Sequence, residues 1–386
     1  MSPRERILKI LSGQQPNQVP WFGDLDYWAT AKIARGEVSG DFIQSQAYID
    51  WHRELGVGFY LQGNFPFKTH FQNIKIKKWW VGTKEYTEYF TPKGNLRSCW
   101  QKLIDSFTIA PVEQLIKSKL DLPALGFLYE NIRYEPDYNF ALQRLNQVGD
   151  AGIVICYTPK TPLMQLVALD AGIENLTFII DDAPDEFEAT LQTMEQTLDK
   201  AVRITIESPA NVLMIPENLS SEVAGVNFFE KYMRRVQEKW TKQIADAGKY
   251  SLIHMDGTLK GLLRQECSVG VNALEGLTPA PVGDLEIEQW EAYGKDSKTI
   301  FWGGIPGSYF TPLVKDEEFD RHVINVLSVM RKKPRYVLGV ADQVPPDALE
   351  YRVRRVQELV AEFGNYATSP LSPASQNLPS SAHLCD

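Results

Sequence analysis

Short apolar runs bounded by turn residues recur along this chain at the spacing of strands that alternate with helices, and no other feature constrains its fold as much. The runs are Val19–Phe22, Val57–Leu61, Ile153–Tyr157, Val212–Ile215, Ser251–Met255, Val271–Glu275, Thr299–Gly303 and Tyr336–Val340. Most are continuous rather than alternating, the pattern of strands buried on both faces of a parallel sheet. Between them the period changes to that of helices. Phe229, Met233, Val236, Trp240, Ile244 and Ala247 step by three or four residues and stop at Gly248, and Leu349, Val353, Val356, Val360 and Phe363 do the same before Gly364. Eight such units predict an α/β fold closed into a (β/α)8 TIM barrel. One domain over residues 1–366 is expected, because α/β barrels routinely exceed ordinary domain length.

Two segments depart from that rhythm. Residues 67–103 read as an inserted β-ribbon after the second strand, with Ile74, Ile76, Trp79, Trp80 and Tyr86 ahead of the turn Thr91-Pro92-Lys93-Gly94. Its position places it near the catalytic face, as a lid, a substrate wall or a hairpin packed on the barrel. Residues 367–386 are rich in Ser, Pro and Ala and are expected to form a disordered tail.

Charge and cysteine usage narrow the partners. A net charge of −9 opposes a phosphate-backbone footprint, so no nucleic-acid partner is expected. No apolar run approaches the ~18 residues of a membrane helix and the first residues are charged, which points to a cytoplasmic protein with no membrane partner. Cys99, Cys156, Cys267 and Cys385 are far apart and show no metal-finger spacing. With 44% hydrophobic residues the chain can bury a sizeable core.

Barrel enzymes carry their reacting groups at the carboxyl ends of the strands. Here those ends read Pro216-Glu217-Asn218, His254-Met255-Asp256-Gly257, Leu274-Glu275-Gly276, Trp302-Gly303-Gly304 and Ala341-Asp342-Gln343, with Asp24 and Asp26 after the first strand. His254 and Asp256 are two residues apart, a step that places both side chains on one face of a strand. With Glu217 they form a candidate N/O set for a divalent metal, zinc or another. Glu275 and Asp342 are the candidate catalytic acids or bases; Asp24, Asp26 and Trp302 are candidates for substrate binding. Helix capping and turn formation draw on the same residue types, above all at Asp256 and Asp342.

The opening Arg4-Glu5-Arg6-Ile7-Leu8 through Pro16-Asn17-Gln18-Val19-Pro20, the His254-Met255-Asp256-Gly257 element, Trp302-Gly303-Gly304-Ile305-Pro306, and Gly339 through Asp347 together resemble the uroporphyrinogen decarboxylase superfamily. That superfamily contains decarboxylases and methyltransferases that exchange methyl groups with a corrinoid carrier. The decarboxylases hold their polycarboxylate substrate with an arginine-rich stretch near the N-terminus, whereas the corresponding Trp21–Trp28 has two aspartates and no arginine. The methyltransferase branch is the more similar. Its thiol-activating members bind zinc through a His-x-Cys pair and a later cysteine, positions that Asp256 and Leu338 occupy here.

The resemblance therefore implies a metal-assisted methyltransferase that acts on a small methylated substrate, with a corrinoid supplied by a partner protein and a possible homodimer. Two alternatives stand beside it: decarboxylation of uroporphyrinogen or another carboxylate, and a non-catalytic accessory that binds a corrinoid or tetrapyrrole.

Overall fold

The computed structural model describes residues 1–60, 64–295, 297–333 and 335–366; the expected tail, 367–386, lies outside them. The eight expected strands are present: β1 (Trp21–Phe22), β2 (Phe59–Tyr60), β3 (in two pieces, Gly152–Ile153 and Ile155–Tyr157), β4 (Val212–Leu219), β5 (Tyr250–Met255), β6 (Ala273–Leu277), β7 (Ile300–Pro306) and β8 (Tyr336–Ala341). Seven form one parallel sheet in the order β1-β8-β7-β6-β5-β4-β3. The ring closes through β2, which pairs with the first piece of β3 and is bridged to β1 by Phe22 and Gly58. At that seam Gly152 is obligatory, because a Cβ there would lie 1.7 Å from the carbonyl oxygen of Phe59.

Strand alternation sorts the side chains into two cores. Phe22, Ile155, Met214, Leu252, Ile300 and Val337 point into the barrel, and Ile7, Ile10 and Leu11 of the N-terminal helix Pro3–Leu11 join them. That helix starts with a Ser2/Glu5 capping box, and Arg4 donates to the Gly152 carbonyl at 3.0 Å. It plugs the amino-terminal end of the barrel and leaves the carboxyl end as the mouth. The outward residues Ile215, Ile253, Leu274, Phe301 and Leu338 pack on the surrounding helices, among them the amphipathic Arg234–Asp246 and Glu350–Phe363.

The insertion after β2 is larger than a ribbon ending at 103. Strands Lys75–Val81, Lys84–Thr91, Gly94–Leu103 and Thr108–Glu113 form a four-stranded antiparallel sheet, and Phe67–Phe71 pairs separately with Ile132–Pro136. The run Thr108–Glu113 is short and half-exposed, so it carries little hydrophobic patterning of its own. Helix Leu122–Glu130 packs on this sheet through Ala124, Leu125 and Leu128. Cys99, Cys156 and Cys267 are free and buried.

Candidate active site

The mouth opens into a cavity of about 220 Å³ whose walls include Asp24, Asp26, His254 and Asp342. His254 reaches it because the alternation of β5 turns Leu252 and His254 inward, and because Gly276 on β6 leaves room for the ring: a Cβ at 276 would lie 2.8 Å from His254 Cε1. Two rim residues, Asn218 and Asp342, hold left-handed backbone at φ 52° and 67°. Such conformations cost energy in non-glycine residues and concentrate at functional sites.

His254 is clamped by carboxylates. Its Nδ1 lies 2.6 Å from Glu275 Oε2, and its Nε2 lies 3.8 Å from Asp342 Oδ1. Tyr60 donates to the other oxygen of Glu275 at 3.0 Å. Burial alone would strip the proton from His254, but Glu275 more than offsets it, with help from Asp256 and Asp342, and its pKa is pushed up to about 9. The ring is therefore an imidazolium at neutral pH. Glu275 is fully buried and both its oxygens are engaged, so it positions His254 rather than facing a substrate.

The expected aspartates do gather at the mouth. Burial, then the neighbouring Asp26, hold the Asp24 carboxyl well above its ordinary range, although its Oδ1 accepts from the Asp26 backbone N–H at 2.7 Å. Asp26 opens the helix Asp26–Ala34 and accepts a hydrogen bond from the Tyr48 hydroxyl. Asp342, at the exposed lip, is also raised, by the partial loss of water around it and by Asp256 and Glu275, against the pull of His254.

Glu217 is elsewhere. It shares the outward parity of Leu213 and Ile215, and its oxygens accept from the Thr161 backbone N–H at 3.1 Å and from the Gln237 amide at 3.3 Å. The same amide donates to Glu266, whose carboxyl is pushed up to about 8 by burial and, less, by Glu217. Asp256 lies beyond the end of β5, close enough to act on the charge of His254, while the contacts of that ring go to Glu275 and Asp342. The expected metal set of His254, Asp256 and Glu217 is thus not assembled, and among the described residues no group of three or more His, Cys, Asp or Glu is placed to hold a metal ion. These donors do not fit a metal.

Trp302 also departs from expectation. It fills the barrel interior against Tyr60, with ring centroids 4.8 Å apart, and Phe22, at 5.6 Å, and does not line the mouth cavity. Sequence reasoning missed Tyr60 and Tyr157 as site residues, and it gave no role to Asn218 and Gln343 at the strand ends it quoted. Tyr60 and Tyr157 end or nearly end β2 and β3, so the strand-end rule that selected His254 would have found them.

A parallel barrel with a charged histidine and a cluster of acids at its carboxyl-end mouth defines a (β/α)8-barrel enzyme. The sequence model for uroporphyrinogen decarboxylase (URO-D) matches residues 141–363, and the chain belongs to that family. Among solved structures, a methyltransferase from Methanosarcina mazei superposes with a TM-score of 0.61 at 12% identity, covering 94% of this chain and 99% of that one, which shows a shared fold. An IMP dehydrogenase/GMP reductase-like protein from Corynebacterium glutamicum overlaps 57% of this chain and 48% of its own at 12% identity, with a TM-score of 0.27. No curated protein matches the sequence. Among the described residues no helix is long and apolar enough to cross a membrane.

Proposed function

We propose that this URO-D family enzyme transfers a methyl group from a small methylated ether or amine to a corrinoid carried by a partner protein, with His254 as the proton donor to the leaving atom. The observation that carries this reading is the His254–Glu275 contact of 2.6 Å, which leaves Nε2 as the donating nitrogen on the mouth side. A mouth cavity of about 220 Å³ suits a small substrate, so a corrinoid would approach from the rim. When present, the corrinoid supplies the nucleophile that takes the methyl group.

The chain's own residues supply binding and a proton. As the bond from carbon to oxygen or nitrogen breaks, the leaving atom takes the Nε2 proton, and Glu275 holds the ring in place throughout. An acid with a pKa of about 9 is strong enough to protonate an alkoxide or an amine and weak enough to stay loaded at neutral pH. Asp26 and Asp342 make the mouth acidic, and among the described residues neither Arg nor Lys lines the cavity to hold a polycarboxylate. The methyltransferase name of the Methanosarcina structure points the same way.

Decarboxylation is the second reading, favoured by one feature: Asp24, whose buried carboxyl is held well above the ordinary carboxylate range, is placed to protonate the carbanion left by a small monocarboxylate. A single experiment separates the two. The purified chain is mixed with reduced free cobalamin and a panel of methyl ethers, methylamines and small carboxylates, and cobalamin methylation is followed by absorbance beside carbon dioxide release. Methylation lost in His254→Gln supports the first reading. Carbon dioxide release without methylation, or an unchanged rate in His254→Gln, overturns it.

A further inference from the structure

We propose that a second cavity, between the inserted strands and the barrel, binds a small organic ammonium ion, with Asp170 as its counter-charge. This cavity, of about 400 Å³, is separate from the mouth and is walled by aromatic rings. Phe67 meets Tyr134 edge-on with centroids 5.1 Å apart, Phe71 meets Tyr89 at 5.5 Å, and Phe65 meets Phe67 at 5.8 Å. Such rings attract a cation through their negative faces.

Asp170 supplies the charge. It ends a π-helical turn, Leu166–Asp170, the kind of widened turn that recurs at functional sites. Its Oδ2 accepts from the Tyr129 hydroxyl at 3.2 Å and from the Gln165 amide at 3.1 Å. Among the described residues nothing donates to Oδ1, and no Lys, Arg or His forms an ion pair with this carboxylate. Burial pushes its pKa up to about 6, with Gln165 and Tyr129 opposing, so it is still ionised at pH 7.5. A half-buried carboxylate without a cation carries a desolvation cost, and a ligand that brings the cation removes that cost.

The neighbouring lysine does not fill the role. Lys160 lines the same cavity, but its ammonium is spent on the Pro216 carbonyl and on Asn218 Oδ1 at 2.7 Å, toward the mouth. Aromatic walls offer little to a strongly hydrated inorganic ion, and an anion would meet Asp170. An alkylated ammonium satisfies both walls and charge. The assignment is independent of the reaction proposed for the mouth, which Phe65 adjoins through an edge contact with Tyr157 at 5.6 Å.

Calorimetric titration of the full chain with choline and with its neutral carbon isostere, 3,3-dimethylbutan-1-ol, tests the proposal. Choline should bind at least about tenfold tighter than the isostere, and Asp170→Asn should lose at least about tenfold in choline affinity. Tyr134→Ala should weaken choline binding, whereas Asp342→Asn, in the mouth, should leave it unchanged. The comparison of choline with its isostere on the wild-type chain holds even where a variant fails to fold. Equal binding of the isostere, no choline binding at millimolar concentration, or a loss that follows Asp342→Asn instead of Asp170→Asn would overturn it.

Discussion

Replacing Glu275 with Gln removes the charge opposite His254 while keeping the shape, and an acceptor for Tyr60. In the wild-type chain His254 is raised from 6.5 to about 9, against the direction in which burial alone would move it. A shift of that size corresponds to about 3 kcal/mol of preference for the charged ring. Because the ring binds its proton more tightly in the folded chain, this stabilisation is complete below pH 6.5, the unfolded value, and disappears as pH rises through about 9. In Glu275→Gln the desolvation remains and the counter-charge is gone, so His254 should titrate below 6.5 and the fold should lose about 3 kcal/mol at pH 6, and much less at pH 10. Two-dimensional NMR of the histidine ring nitrogens gives the titration, and urea unfolding at the two pH values gives the stability. A wild-type His254 that titrates between 6 and 7, or a titration unchanged in Glu275→Gln, would refute the clamp.

Three further outcomes are expected. In the methyl-transfer assay His254→Gln should lower turnover by about 10²–10⁴ with the fold intact by circular dichroism, the range for loss of a positioned proton donor; Asp342→Asn should cost less, since it contacts the ring only at 3.8 Å. Glu217→Ala should cost about 2–4 kcal/mol in urea unfolding, because the buried Thr161 N–H and Gln237 amide lose their acceptor, and a change within about 0.5 kcal/mol would contradict the packing role. Gly152→Ala should abolish soluble expression, as its Cβ would overlap the Phe59 carbonyl at the β2–β3 seam; a folded variant with an unaltered melting temperature would show that the seam can open.

The barrel was legible from local pattern. Each strand overlaps an apolar run, with ends within two residues of it except in β4 and β7, which run on to Leu219 and Pro306, and the helices follow the three-to-four-residue period of Phe229–Ala247 and Leu349–Phe363. Hydrophobic burial on both faces is a property of short segments, so it is written into them. The same rule, taken to the strand ends, located His254, Glu275 and Asp342, three groups that the fold brings into contact.

Side-chain direction was decided only by the tertiary structure. A strand buried on both faces is apolar at every position, so its sequence does not reveal which parity faces the barrel axis. Glu217 follows Pro216 at a strand end as plausibly as His254 follows Ile253, yet β4 turns Val212 and Met214 inward and Glu217 outward to Gln237, while β5 turns Leu252 and His254 inward. Trp302 has the inward parity but fills the interior against Tyr60. The pairing of His254 with Glu275 rather than Asp256 arises between neighbouring strands, where register sets His254 beside Glu275, and β5 ends before Asp256. Composition and periodicity fix which segments become strands; the register and twist of the closed ring fix which of their charges meet.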